Sequence, residues 1–444
     1  MSPRLLFFIV FIEGYCSLGA EIIALRRLIP HVGSSIVVTA PTIGLFLLAL
    51  ALGYHSGSRV ATDYRAVVGR NFLISAALMG IGLAGGSVDR IFASGPAGVA
   101  YLLFVGGVLC PLAWLLGQTV PILTNLMRVQ RSGEAAGRAL YWSTLGSFLG
   151  SVSLSLGMMQ VFGVWSAVLL GTGLLLAGAL AATPPRPVAI TLAVGLAGLG
   201  LAANLPDRQR IDTAHADYAV EIVSREMMTL PRAFHVNNQT ASLLDTSEPP
   251  RYARYIERLR RILLEELGFA GQDILVLGAG GFTLSHREPT NRYTYVDIDP
   301  AIRGIAENEF LREPINGQFI VADARRHVLE TSQRYDAVVV DVYSALTAIP
   351  GHLLTREFWR DTRRTLKPGG VLLANLILDG ELASPFARNL LATIESAYGR
   401  CGVEVLSKGA SLSNVIVSCF RGEAPEPVRI YSDELNRADV DRLP

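Results

Sequence analysis

A chain of 444 residues with 39 basic and 38 acidic side chains carries a formal net charge of +1, which excludes the overall basic field expected of a nucleic-acid binder. Its charge is unevenly placed: residues 1–205 hold 16 of the 77 charged side chains and the other 239 residues hold 61. That asymmetry excludes one globular domain and predicts an apolar half followed by an ordinary water-facing one.

Apolar runs near 5–25, 36–56, 71–88, 97–120, 139–161, 164–182 and 187–204 come close to the roughly 20 residues that a bilayer-crossing helix needs. They predict a multi-pass α-helical membrane domain of about seven spans over 1–206, in which the lipid bilayer is itself a partner. Other apolar runs follow the first, which therefore reads as a retained helix and not as a signal peptide. The run from 97 contains Pro111 and Pro121 and should be kinked or broken. Arg4, Arg59, Arg65, Arg70, Arg128, Arg131, Arg138 and Arg186 mark one side of the spans, against Arg26, Arg27 and Arg90 on the other. This places the N-terminus in the cytoplasm.

Seven spans would deliver the second half to the outside, whereas a nucleoside-type co-substrate belongs in the cytoplasm; the cytoplasmic placement, in a multi-pass inner-membrane protein, is the expectation kept. Glu13 and Glu21 lie about 80° apart at membrane depth on the first helix. They read either as a cation or proton site, or as bonds to a second helix and to Arg26 or Arg27. Gln118, Asn125 and Gln160 read as polar side chains that bond helix to helix or serve such a site. The cysteines, at 16, 110, 401 and 419, show neither metal-ligand nor framework spacing and are expected as free buried thiols.

After Leu205 the runs YAVEIVSRE, RAFHVNN and TASLLDT predict a small antiparallel sheet over 207–248, the substrate-side subdomain. RYARYIERLRRILLEELGF follows Pro249 and Pro250, with Tyr255, Leu259, Ile262, Leu263 and Leu267 on one helical face. DILVLG, YTYVDID, QFIVAD, YDAVVVD and GVLLANLI then alternate with helical stretches such as AIRGIAENEFL and REFWRDTRRTL. This predicts an α/β doubly wound, mainly parallel Rossmann-like sheet over 249–444, with VEVLS and SNVIVSCF as two further strands.

The ligand site of such a sheet lies at the carboxyl ends of its strands, where four consecutive strands carry a glycine loop or an acid. The first ends in Gly278-Ala279-Gly280-Gly281, where backbone can approach a ligand. The second ends in Asp297-Ile298-Asp299, with Asp297 suited to ribose hydroxyls and Asp299 to capping the helix after Pro300. The third ends in Asp323-Ala324, suited to an adenine amino group, and the fourth in Asp341. Together they predict a nucleoside-binding constellation; a dinucleotide is less well served, because no third glycine follows. Tyr343, two residues after Asp341, reads either as a pocket wall or as packing. Histidines 215, 235, 286, 327 and 352 are scattered and read as surface or polar core residues. No GxSxG, HExxH or Walker loop occurs, and no metal is expected.

The order of GAGG, VDID, VADA, VVVDVYSALTAIPGHLLTREFW and LKPGGVLLANL resembles the spermidine synthases among the class I S-adenosylmethionine-type transferases, over about residues 215–420. The apolar half is similar to the multi-span segment fused to such domains in bacterial proteins, through GAEIIALRRL, VGSS and LALALGYHSG. The resemblance implies that Gln239 and Asp297 hold the ribose, Asp323 and Ala324 the adenine, Tyr252 the amine substrate and Asp341 the reacting amine. Gly278, Gly280, Gly281 and Ile298 complete the implied cofactor site. The implied co-substrate is decarboxylated S-adenosylmethionine or S-adenosylmethionine, the acceptor a small polyamine or other amine, and a homodimer is compatible with it.

The chain departs from the family pattern at three places. The loop acid is replaced by Gly281, the tyrosine–histidine–glutamate run reads Tyr252-Ala253-Arg254, and Ser344 stands where a second active-loop acid belongs. The activity expected from the resemblance is aminopropyl transfer to a polyamine with Asp341 as base. One alternative is methyl transfer from S-adenosylmethionine to a small or lipid-borne nucleophile, because an acid at 281 would repel the co-substrate's carboxylate and is absent. The other is a polyamine transporter or sensor with a nucleoside-binding domain, Glu13 and Glu21 lining a cation path.

Overall fold

The computed structural model describes residues 3–33, 35–126, 132–183, 187–205, 210–213, 215–223, 231–237, 239–343, 349–419, 431–433 and 438. Ser344, Arg128, Arg131 and Arg186 fall outside them. The chain divides into two compact units, one made chiefly of residues 1–208 and the other chiefly of 215–444.

The first unit is helical. Among the described residues five of its helices are long and apolar enough to cross a membrane: Arg4–Val32, Ile36–Ser58, Ala97–Asn125, Gly133–Phe162 and Val164–Ala182. The pair Tyr64–Gly82 and Gly85–Ala93, bent by 69°, makes a sixth if it is one span. The seventh apolar run expected forms Pro187–Ala203, a shorter apolar helix of 17 residues. At about 1.5 Å per residue it is roughly 25 Å long, short of a hydrocarbon core of about 30 Å. Near Pro121, Gln118 separates the helices Cys110–Gly117 and Thr119–Leu126, as expected where a proline removes a backbone donor.

The first helix crosses the helix Ser132–Val152 closely, because a Cβ on Gly14 would sit 1.9 Å from the Ser143 carbonyl oxygen and one on Gly146 2.2 Å from that of Phe11. Small residues permit such backbone approach. At this crossing the Ser143 hydroxyl donates to the buried Glu13 carboxylate at 2.8 Å, so Glu13 bonds a second helix.

The second unit holds two sheets. In the smaller, β1 (Arg210–Asp212), β2 (Asp217–Ile222), β3 (Arg232–Val236), β4 (Gln239–Asp245) and β5 (Arg251–Tyr252) lie side by side in chain order. Pairing from β2 to β5 is antiparallel, as the alternating runs predict. The sheet extends to Tyr252, a few residues beyond the compositional boundary at 248.

The larger sheet contains β6 (Asp273–Leu277), β7 (Arg292–Asp297), β8 (Gln318–Val321), β9 (Tyr335–Val340), β10 (Leu366–Leu378), β11 (Cys401–Val405) and β12 (Ser413–Cys419), in the order β11-β12-β10-β9-β6-β7-β8. Strands β8, β7, β6, β9 and β10 are parallel, and β12 runs antiparallel to both β10 and β11. The sheet is Rossmann-like and mixed. Its central strands are continuous apolar runs because both faces are covered. Leu275, Leu277, Val338 and Val340 pack with Val328, Phe358, Trp359 and Leu390 of the helices on one side. Ile274, Val276, Ala337 and Val339 pack with Ile256, Leu259, Ile302 and Ile305 on the other.

Strand order reverses at β6, with β7 and β8 to one side and β9 and β10 to the other. A doubly wound sheet opens its crevice at such a reversal, outside the carboxyl ends of the strands. The expectation of four free thiols is corrected at the far edge of this sheet. Cys401 and Cys419 are direct cross-strand partners on β11 and β12 and form a disulfide, a pairing set by strand register and invisible in an 18-residue sequence separation. Cys16 and Cys110 are free.

Candidate active site

The glycine loop follows β6 and lies against the end of β9. Gly278 has φ +89° and Gly280 φ +50°, and a Cβ on Gly278 would be 2.1 Å from the Asp341 carbonyl oxygen. Glycine at 278 therefore lets the two strand ends meet. Two side chains fix the loop: the Ser242 hydroxyl accepts the Gly281 N–H at 2.9 Å and Asp297 Oδ2 accepts the Ala279 N–H at 3.0 Å. Phe282, with φ +57°, holds a backbone conformation unusual for a bulky residue. Its ring is buried edge-on to Tyr295 and Phe319, packing that offsets the strain.

At the end of β7, Asp297 Oδ1 accepts the Asp299 N–H at 3.0 Å. With Ala279 on Oδ2, each carboxylate oxygen keeps a lone pair for a hydroxyl. Burial holds this carboxyl above its ordinary range. Asp299 accepts the Ala301 N–H on Oδ1 at 2.9 Å and the Tyr218 hydroxyl on Oδ2 at 2.8 Å; it closes the turn before the helix Ile302–Ile305, whose N-cap is Ala301 and not Asp299 as expected.

At the end of β8, Asp323 Oδ1 caps the helix Ala324–Glu330 through the Arg326 N–H at 3.0 Å. Its Oδ2 lies 3.1 Å from His352 Nε2. Asp297 and Val321 are register partners, and beside them Ile298 and Val321 are each 51% exposed. Exposed apolar side chains flanked by acids at adjacent strand ends suit a flat ring with a polar edge.

Asp341 follows β9 and is partly buried at the wall of the pocket. Its N–H donates to the Leu277 carbonyl at 2.9 Å, and its Oδ1 accepts from Asn375 Nδ2 of β10 at 2.8 Å. Burial pushes its carboxyl up to about 6, opposed by hydrogen bonds from Asn375 and Tyr255. Tyr255 lies beside it on the helix Arg254–Arg261, its single hydroxyl proton shared between the carboxylate and the Ala241 carbonyl, 2.9 Å away. Burial and the neighbouring acid push that phenol well up. Asp341, Tyr255, Ser242, Gly278, Gly280 and Thr283 line one pocket, about 290 Å³ including the space open to solvent. Among the described residues no cationic side chain pairs with Asp341.

The structure thus brings together Gly278, Gly280, Gly281, Asp297 and Asp341 through direct contacts. Gln239 begins β4, three residues before Ser242, with no hydrogen bond to Asp297 among the described residues. Tyr252 is 5% exposed and stands apart from the pocket that holds Asp341. Its hydroxyl meets His286 Nδ1 at 2.8 Å and donates to the His286 carbonyl at 3.1 Å. The Tyr343 hydroxyl accepts the Ile377 N–H at 2.6 Å and donates to the Asn375 carbonyl at 2.9 Å.

Tyr255, Ser242 and Asn375 escaped the reading of the sequence as site residues. Tyr255 was assigned only to the apolar helix face. A usable signal existed for Asn375, the one polar residue in the run GVLLANLIL.

The fold is a doubly wound, Rossmann-like domain whose strand ends gather a glycine loop and acids around one pocket. The particular likeness lies in sequence, to polyamine aminopropyltransferases. The chain is 32% identical over 171 residues to the polyamine aminopropyltransferase of Vibrio vulnificus, covering 36% of this chain and 54% of that protein. It is 26% identical over 443 residues to polyamine aminopropyltransferase 1 of Streptomyces coelicolor, covering 88% of this chain and 79% of that one. The latter alignment necessarily takes in most of the helical unit.

This chain spans only 54%, 28% and 37% of three of these relatives, from Vibrio vulnificus, Bifidobacterium longum and Sulfolobus acidocaldarius. Solved structures it is similar to include a probable spermidine synthase from Corynebacterium glutamicum, at 20% identity and TM-score 0.40, covering 49% of this chain and 81% of that one. Another is a spermidine synthase in complex with the transition state analogue AdoDATO, at 13% identity and TM-score 0.35, covering 53% and 84%. No family model matches.

Proposed function

We propose that the chain is a membrane-bound aminopropyltransferase that moves the aminopropyl group of decarboxylated S-adenosylmethionine to a small amine. The observation that carries this reading is Asp341, a partly buried carboxylate with no cationic partner among the described residues, at the reversal point of the sheet and beside the Tyr255 hydroxyl. A buried acid without a counter-charge favours a ligand that brings one, and an ammonium group does so.

An amine attacks only with its lone pair free, so the ammonium must first lose a proton. Asp341 orients the nitrogen and takes that proton. As the nitrogen–carbon bond forms, the carbon–sulfur bond breaks and its electron pair stays on sulfur, neutralising the sulfonium. An acid with its pKa near 6 is mostly ionised at neutral pH and is a stronger base than an ordinary carboxylate. The glycine loop and Asp297 would hold the nucleoside's ribose end. Ile298 and Val321 would cover the adenine ring, with Asp323 at its amino edge.

A specific observation favours methyl transfer as the second reading. A Cβ on Gly281 would lie 2.4 Å from the Phe310 ring and 2.9 Å from Ser242 Cβ, so phenyl and serine fill the position of the family's loop acid. Nothing at 281 repels the carboxylate of S-adenosylmethionine.

The decisive experiment offers detergent-purified protein both donors with a panel of amines and analyses the products by mass spectrometry. Methylthioadenosine with an elongated amine, absent in Asp341→Asn, supports aminopropyl transfer. S-adenosylhomocysteine would replace it with methyl transfer, and neither product would remove both.

We place the first unit in the inner membrane. Counting the bent pair as one span, six crossings return the chain to the cytoplasmic side where it began, and the short helix Pro187–Ala203 is then no crossing.

A further inference from the structure

We propose that Asn375 and Asn414 are positioning residues for Asp341, a two-amide relay from strand β12 through β10 that holds its carboxylate by one oxygen at the pocket. The inference rests on the reading of Asp341 as the group that meets the amine.

The chain of contacts is short. Asn414 Nδ2 on β12 donates to Asn375 Oδ1 at 2.9 Å, and Asn375 Nδ2 on β10 donates to Asp341 Oδ1 at 2.8 Å. Polarity fixes its direction, because an ionised carboxylate only accepts hydrogen bonds. Asn375 must therefore turn Nδ2 toward Asp341, which leaves Oδ1 facing β12, where Asn414 supplies the matching donor. Without Asn414 only the carboxylate itself selects this orientation, and the Asn375 oxygen loses its donor. Turned by 180° about its last torsion, it would set an oxygen against the carboxylate.

The backbone beneath Asn375 is fixed separately. Parallel pairing of β10 with β9 ends at Ala374 and Val340, so the next groups facing that side, the Asn375 carbonyl and the Ile377 N–H, have passed the end of their partner strand. The Tyr343 hydroxyl satisfies both, standing in for the missing strand. On the opposite side β12 pairs through Asn375 with Ile416 and Ile377 with Asn414. Asn375 is thus held at its main chain by Tyr343 and β12 and at its amide by Asn414.

The consequence is asymmetry. Oδ1 of Asp341 is occupied by a neutral donor that can neither give nor take a proton. Oδ2 is left clear of the relay to meet an ammonium, with the Tyr255 hydroxyl beside the carboxylate. The titratable groups facing Asp341 among the described residues are Tyr255 from its helix and Tyr343 from its own loop, while β4, β6 and β10 present serine, glycine and amide.

The test follows the Asp341 carboxyl directly, so that it does not depend on finding the substrate. Full-length protein labelled with 13C-aspartate is titrated in detergent by isotope-edited infrared spectroscopy, with Asp341→Asn subtracted to isolate the band. Removing a hydrogen bond to the charged form raises the midpoint by about one unit. Asn375→Leu should shift it so, Asn414→Ala should shift it in the same direction by less, and Asn414→Gln should restore it in part.

A shift in Asn375→Leu with none in Asn414→Ala overturns the relay, as does a shift in neither while both lose thermal stability. Should either variant fail to fold, Asn414→Ser at the more exposed end carries the same prediction. If the midpoints move as stated but no amine product forms with any donor, the relay stands and the aminopropyltransferase reading falls.

Discussion

Asp341 is the residue at which burial and chemistry meet. Its carboxyl stands near 6 against about 3.8 in an unfolded chain, so the native state holds the proton more tightly and folding loses stability as pH rises between those values. Below the lower value both states are protonated and the effect vanishes; above the upper one it is complete. Asp341→Asn removes it, and should raise the unfolding free energy at pH 7.5 by about 1–3 kcal/mol while leaving it unchanged near pH 4. Denaturant melts at the two pH values measure this. A variant equally or less stable at pH 7.5 would show the carboxylate to be compensated by a partner. The same titration sets the acid limb of activity: a base must be ionised, so the rate should fall as pH drops through about 6 and be flat above it.

At the scale of elements, two tyrosines on consecutive turns of chain have different tasks. Tyr252 ends β5 within a cluster in which Arg260 stacks on its ring, 4.9 Å from the centroid, and donates to the Leu284 and His286 carbonyls at 2.7 and 3.0 Å. His286 Nε2 meets Glu313 at 2.5 Å. The cluster ties the small sheet and its following helix to the segment after the glycine loop. Tyr255, one element later, points its hydroxyl at Asp341. Tyr252→Phe should therefore cost about 1–2 kcal/mol of stability and leave the amine KM unchanged, whereas Tyr255→Phe should change the amine KM with little loss of stability. Steady-state kinetics beside thermal melts separate the two, and the reverse pattern would return the substrate role to Tyr252.

This pair also marks the limit of sequence reading. Strands β6, β7, β9 and β10 were legible because each is an apolar run largely buried on both faces, and Asp297 and Asp341 because each ends such a run. The family's tyrosine was placed at Tyr252, and only folding shows which tyrosine faces an acid 86 positions on. Likewise Asn375 gains a role only when β12, added from the far end of the chain, brings Asn414 beside it.

For the whole molecule, the composition of the two halves was plain in the sequence, and the number of crossings was not, because span count depends on helix length and bends that hydropathy alone does not fix. The proposed even count would place the second unit in the cytoplasm, where thiols are kept reduced. There the Cys401–Cys419 pair tests the orientation. Strand register holds these two sulfurs together in either redox state, and closing an 18-residue separation would stabilise the unit by about 3 kcal/mol once oxidised.

Cells dissolved directly in denaturant with a maleimide-polyethylene glycol reagent should yield chain tagged at all four cysteines. Protein purified without reductant should be tagged only at Cys16 and Cys110, with a thermal midpoint that dithiothreitol lowers. Chain tagged at only those two positions in the cell lysate would put the second unit on the oxidising side. It would then be cut off from a cytosolic nucleoside, and the count of six crossings would have to give way to an odd number.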